Sequence, residues 1–155
     1  MTHLALSVFV IFIVCDMETL IIFRVIEELF GLDIRKVREV IELPTIVPVP
    51  KSADFLLGLA NIRGEVVPII SLRRRLGLTG DELCNLCLVV EEGGRTAGLR
   101  VDELVGTKKI NERNINKNSE LLSTRKDRDC FFGIYETGEK PILILNLKKV
   151  LSEGG

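Results

Sequence analysis

The chain is poor in the residues that most often do chemistry or grip nucleic acid. Its 155 residues include no Trp, one Tyr (Tyr135) and one His (His3), and aromatics are 5% of the whole. Without aromatic side chains there are few platforms on which bases can stack. The lone His lies in the N-terminal segment, away from the patterned part of the chain. That argues against His-centred triads, His general acid/base work and His-rich metal sites. Charge of one sign is missing too: 21 Lys and Arg against 22 Asp and Glu leave a net charge of -1. A nucleic-acid binder normally carries a clear basic excess. The run Arg73-Arg74-Arg75 therefore reads as a solvated face.

A membrane-length apolar run is also lacking. Leu4 to Cys15 (LALSVFVIFIVC) is apolar, but a spanning helix needs about 20 such residues. The run has no basic n-region and no A-x-A-like site, so it does not read as a signal peptide. Residues 1–16 are expected to be an atypical extension outside the fold, with Met17 as a plausible start. Residues 17–155 then form the domain, with no direct membrane insertion.

Four cysteines are present, and two form Cys84-Asn85-Leu86-Cys87. A zinc site needs a second pair, which Cys130 alone does not supply. A redox pair needs a helix N-terminus, whereas this one opens the strand-like run Leu86 to Val90. In a strand, residues three apart point to opposite faces. The pair reads as small apolar side chains, and no metal, cofactor or catalytic residue is expected.

What is present is a series of short β-rich runs joined by tight turns. Thr19–Val25 and Leu29–Ile34 make a first hairpin whose turn, Ile26-Glu27-Glu28, has no Gly or Asn. A helical turn over Arg35–Glu39 precedes a strand, Val40–Leu43. Ser52 is placed to cap a short turn. Leu57–Ile62 and Glu65–Leu72 form a hairpin about Arg63-Gly64, with Pro68 at an edge or bulge. A helical turn, Leu72–Leu76, stops at Gly77. Leu86 opens a second set, which turns over Glu91-Glu92-Gly93-Gly94-Arg95 and returns over Thr96–Val105. Lys108–Asp129 reads as a long polar loop. Cys130–Tyr135 and Pro141–Leu145 make a last hairpin about Thr137-Gly138-Glu139, and Asn146 caps a closing helix. Such a pattern predicts a mainly β protein of barrel lobes with short helices.

Two stretches carry a resemblance. Phe30-Gly31-Leu32-Asp33-Ile34-Arg35-Lys36-Val37-Arg38-Glu39-Val40 and Gly58-Leu59-Ala60-Asn61-Ile62-Arg63-Gly64-Glu65-Val66-Val67-Pro68-Ile69-Ile70 resemble the CheW-like adaptor family of bacterial chemotaxis. The likeness runs from about Thr19 to Leu151. It departs at Ser71, where an acidic residue is usual, and at the first turn, where Gly is usual.

The resemblance implies two five-stranded, SH3-like barrels packed on a shared hydrophobic core. It implies adaptor work without catalysis: coupling methyl-accepting chemoreceptors to the regulatory domain of the histidine kinase CheA, in the cytoplasm and recruited to membrane receptor arrays. A related adaptor of a pilus or other two-component pathway is the alternative. With the resemblance, Arg63 reads either as a solvated turn residue or one paired with Glu39 to hold the barrel, or as a polar contact to a helical partner, with Glu39 treated likewise; Ile34 and Val37 read either as core or as a groove that accepts a receptor helix. Gly58 and Gly64 read as backbone devices for close approach or positive φ, so that substitutions there disturb partner binding through structure; Asn61 either satisfies the turn backbone or contacts a partner, and Thr107 is placed where the second lobe meets the receptor groove.

Overall fold

The structure is a computed structural model that describes residues 17–81, 85–136 and 138–152. Residues 1–16, Cys84 and Thr137 therefore lie outside the described residues.

Two antiparallel-rich sheets curl into two lobes. The first lobe joins both ends of the chain. It contains β1 (Met17–Val25), β2 (Glu28–Asp33), β8 (Glu103–Asn111), β9 (Ile115–Asn116), β10 (Phe131–Tyr135) and β11 (Ile142–Leu145), in the order β8-β1-β2-β11-β10-β9. Five of these are substantial strands; β9 has two residues. The second lobe contains β3 (Val37–Glu42), β4 (Leu56–Ile62), β5 (Glu65–Ser71), β6 (Leu86–Glu92) and β7 (Arg95–Val101), in the order β3-β6-β7-β5-β4. Short helices α1 (Leu72–Arg75), α2 (Glu120–Ser123) and α3 (Leu147–Leu151) fill corners. This is the two-lobed, mainly β architecture expected from the sequence.

The strands are apolar on both faces because they serve two cores at once. In β1, Leu20 and Ile22 point into the first barrel, while Ile21, Phe23 and Val25 point between the lobes. In β6, Cys87 and Val89 fill the second barrel, while Leu88 and Val90 meet the other lobe. β11 alternates likewise, with Ile142 and Ile144 inside and Leu143 and Leu145 between. Period-two alternation thus sorts apolar side chains between a barrel interior and the central core, not between core and water. Phe23, Phe30 and Phe131 stack through the central core with centroids 6.0 Å apart in each successive pair. Each fully buried side chain of this kind contributes about 1.5–3 kcal/mol.

Several local expectations are corrected. The turn expected at Arg35–Glu39 is a 3-10 turn over Ile34–Lys36, capped by the Asp33 carboxylate accepting from the Arg35 N–H at 3.0 Å. β3 starts earlier than expected, at Val37. Ser52 does not cap; its hydroxyl donates to the Val49 carbonyl. Pro68 is in an interior strand, yet β5 pairs with β7 only over Ile69–Ser71, so the missing N–H falls just outside that ladder. The expected return strand Thr96–Val105 is two strands broken at Asp102. The expected loop after Lys108 holds the end of β8, a 3-10 turn, β9 and α2. Asn146 occupies the N-cap position without a side-chain bond.

The Arg73-Arg74-Arg75 run is more tightly used than a solvated face. Arg73 donates to Leu78 O, Arg74 to Asp54 O, and Arg75 to Val150 O and Lys149 O. Arg75 also covers the Phe55 ring at 5.1 Å, so these cations lock helix ends and loops in place.

Candidate functional site

The turn of the β4–β5 hairpin has Arg63 at φ 53 and Gly64 at φ 82. Positive φ at both central residues is the signature of the type I′ turn, whose twist suits a two-residue hairpin. Asn61 completes it: its side-chain oxygen accepts the Gly64 N–H at 2.9 Å. The left-handed backbone at Arg63 throws its side chain sideways, toward β3. There Nε lies 2.8 Å and 3.2 Å from the two Glu39 oxygens. Glu39's hydrogen bonds raise the Arg63 pKa, keeping the guanidinium charged.

This ion pair joins the two edge strands of the second sheet, β3 and β4, across the hairpin tip. Arg38 reinforces the closure, reaching Glu65 at 3.0 Å and Glu91 at 2.6 Å. The pair is asymmetric. The Arg63 side chain is 77% exposed, whereas that of Glu39 is 20% exposed. The carboxylate is anchored, and the guanidinium is presented to solvent with donors still free for a partner.

Gly58 acts earlier in the same hairpin. It has φ 147, and a Cβ there would lie 2.2 Å from the Val47 carbonyl oxygen. Only Gly lets the 47 segment pair with β4, where Val47 and Leu59 exchange backbone hydrogen bonds of 2.8 and 2.9 Å.

Ile34 and Val37 divide. Ile34 is 39% exposed at the crossing between lobes. Val37 is half-buried and packs against the central core. Thr107 is exposed on β8, an edge strand, opposite Ile21 of β1. Arg63, Gly64, Asn61 and Glu39 are thus brought together in the second lobe, Ile34 and Val37 flank the lobe crossing, and Thr107 belongs to the first lobe.

Sequence reasoning missed an apolar surface beside this constellation. Val47 and Val66, each 66% exposed, flank Leu59, 36% exposed, on the outer face of the hairpin. β4 sets Leu59 opposite Pro68 and Asn61 opposite Val66, so these side chains share one face. Strict alternation in Leu56–Ile62 held the signal: Ala60 and Ile62 are buried, and Leu59 is their outward neighbour.

Among the described residues no group of His, Cys, Asp and Glu could hold a metal ion. Cys87 is buried, and desolvation pushes its thiol up to about 11; burial also raises that of Cys130. A buried thiol of that kind is a poor nucleophile at neutral pH. A cleft of about 390 Å³ opens at the end of the first barrel between Leu20, Leu32, Ile144 and Phe132, and none of the candidate residues lines it. No helix among the described residues is long and apolar enough to cross a membrane.

The CheW-like domain profile matches residues 19–154. The chain is 28% identical over 132 residues to the chemotaxis protein CheW of Thermotoga maritima, covering 84% of this chain and 85% of that one. It is 30% identical over 136 residues to a probable chemotaxis protein CheW of Rhizobium etli, covering 86% and 87%. Among solved structures it resembles the scaffolding protein TtCheW of Thermoanaerobacter tengcongensis, with TM-score 0.80, 31% identity, and coverage of 89% and 90%. Sequence profile, relatives and fold agree, and the chain belongs to the CheW-like domain family.

Proposed function

We propose that this chain is a non-catalytic chemotaxis adaptor that couples methyl-accepting chemoreceptors to the histidine kinase CheA. The observation that carries the reading is the exposed Arg63 guanidinium, braced by Glu39 beside the lobe crossing. Residues 17–155 act as the adaptor domain in the cytoplasm, recruited to receptor arrays at the membrane.

The receptor's cytoplasmic tip is helical, and a helix needs an apolar seat with a polar register mark. Ile34 and Val37 supply the seat, Arg63 and Glu39 the mark, and Thr107 the contact from the other lobe. The outer face of the hairpin, with Val47, Leu59 and Val66, takes the regulatory domain of the kinase. An exposed apolar patch on an otherwise polar surface is a protein-binding feature.

The two faces predict separable losses. Arg63→Ala and Glu39→Ala are expected to weaken binding of a receptor hairpin by about tenfold and leave kinase-domain binding intact. Val66→Asp is expected to do the reverse, since it buries a charge in an apolar contact. Pull-down with each partner checks this. Loss of both partners in every variant, or of neither, contradicts the assignment.

A further inference from the structure

The chain passes between the lobes twice within the described residues. One crossing is the Ile34–Lys36 turn, and the other is Asp102, the single residue between β7 and β8. Asp102 is 5% exposed, a burial unusual for a carboxylate. Its N–H donates to the Arg24 carbonyl at 3.0 Å, and its carboxylate accepts the Ile26 N–H at 2.5 Å. Arg24 folds back over the same turn: its guanidinium donates to the Ile26 carbonyl and, at 3.0 Å, to Glu103. The same guanidinium lies 4.0 Å from the Asp102 carboxylate.

The turn so held is strained. Ile26 has φ 58, and a β-branched residue in the left-handed region is an outlier. Its side chain packs on the central core and reaches the second lobe at Gly80, where a Cβ would come within 3.0 Å of Ile26 Cδ1. The two-residue hairpin connection between Val25 and Glu28 calls for positive φ at its first residue, yet the turn contains neither Gly nor Asn to adopt it without cost. It is held by the Arg24 guanidinium on the Ile26 carbonyl and by the Asp102 carboxylate, 76 positions away, on the Ile26 N–H.

We propose that Asp102 is a positioning residue for receptor binding: by clasping the Ile26 turn it fixes the relative placement of the lobes. The receptor face needs Thr107 from one lobe and Glu39 and Arg63 from the other at a set spacing. The hairpin face, built within one lobe, needs no such spacing. The inference rests on the receptor and kinase faces assigned above.

Its test uses the full chain, a receptor hairpin, a kinase regulatory domain and hydrogen exchange at the Ile26 amide. Asp102→Ala is expected to speed Ile26 exchange and lower receptor-hairpin affinity about tenfold, with kinase-domain affinity changed less than about twofold. Asp102→Asn keeps an acceptor oxygen and is expected to restore receptor affinity to within about threefold. Ile26→Gly suits the positive φ and so folds, but withdraws the wedge from Gly80; it is expected to give the same split, smaller in size. Equal loss for both partners, or unchanged receptor affinity in Asp102→Ala and Ile26→Gly, overturns the positioning role. Failure of the unmodified chain to bind the receptor hairpin overturns the receptor reading, and this inference with it.

Discussion

Arg63 shows how one side chain shapes its own turn, and the proposed receptor contact rests on that same geometry. Its left-handed backbone is disfavoured for a residue with a Cβ, and its ion pair with Glu39 depends on that conformation. Replacement by Ala removes the pair and keeps the disfavoured backbone. Replacement by Gly removes the pair and suits the backbone. Both variants are expected to lose receptor binding equally, while Arg63→Gly melts at a higher temperature than Arg63→Ala. Differential scanning calorimetry checks the order, and an inverted order contradicts this account of the turn. At Gly58 the constraint is steric. Gly58→Ala would drive a Cβ against the Val47 carbonyl and is expected to cost about 2–4 kcal/mol in denaturant unfolding, with a weakened kinase face as a consequence. A cost below the effect of an ordinary surface substitution contradicts the close approach. Arg63, Gly64 and Asn61 were legible as a turn and Gly58 as a backbone device, because Gly and Asn in a tight apolar hairpin have a direct conformational meaning. The strain at Ile26 was not legible, because nothing in Ile26-Glu27-Glu28 announces a left-handed residue, and one of the groups that holds it, Asp102, lies far along the chain.

At the scale of elements, the hairpins were read correctly where apolar runs met Gly-bearing turns, as at Arg63-Gly64 and Gly93-Gly94. The segment after Lys108 was misread as a loop for a physical reason. Its Asn and Ser residues cap very short turns: Asn111 accepts from Arg113 N–H, Asn116 from Asn118 N–H and Ser119 from Leu121 N–H. Such local bonds replace hydrophobic periodicity as the organising force, and they leave the composition of a loop. β8 is an exposed edge strand rich in Lys, which also hides it from an apolar pattern. β6 was legible as a strand but not as a shared wall. Its place between two cores explains the inertness of Cys87. In a Cys15→Ser/Cys84→Ser variant, Cys87 and Cys130 are expected to react with a thiol reagent only on unfolding. Deprotonation of Cys87 requires a pH near its raised value of about 11, so raising the pH from 7 to 8 leaves it protonated. Rapid labelling of the folded variant contradicts the burial and revives a redox role.

At the scale of the whole molecule, three hydrophobic clusters make one body: two barrel interiors and a core between them. The two-lobed plan follows from strands apolar on both faces, and the family resemblance carried the rest. What the sequence left open was how the lobes meet, since that depends on contacts between distant residues. Arg75, which follows β5, is one such contact, donating to the Val150 and Lys149 carbonyls of α3, which follows β11, at 3.0 Å and 2.9 Å. Asp102 is another. The proposed faces, one spanning both lobes and the other confined to a hairpin, would let the molecule hold two partners at once. The most direct test of that claim is calorimetry in two steps. The chain is first saturated with a CheA regulatory domain, and a receptor hairpin is then titrated into the complex. The account predicts receptor binding to the complex with an affinity within about threefold of that for the free chain. Displacement of the kinase domain by the receptor, or no receptor binding to either form of a well-folded chain, would contradict it.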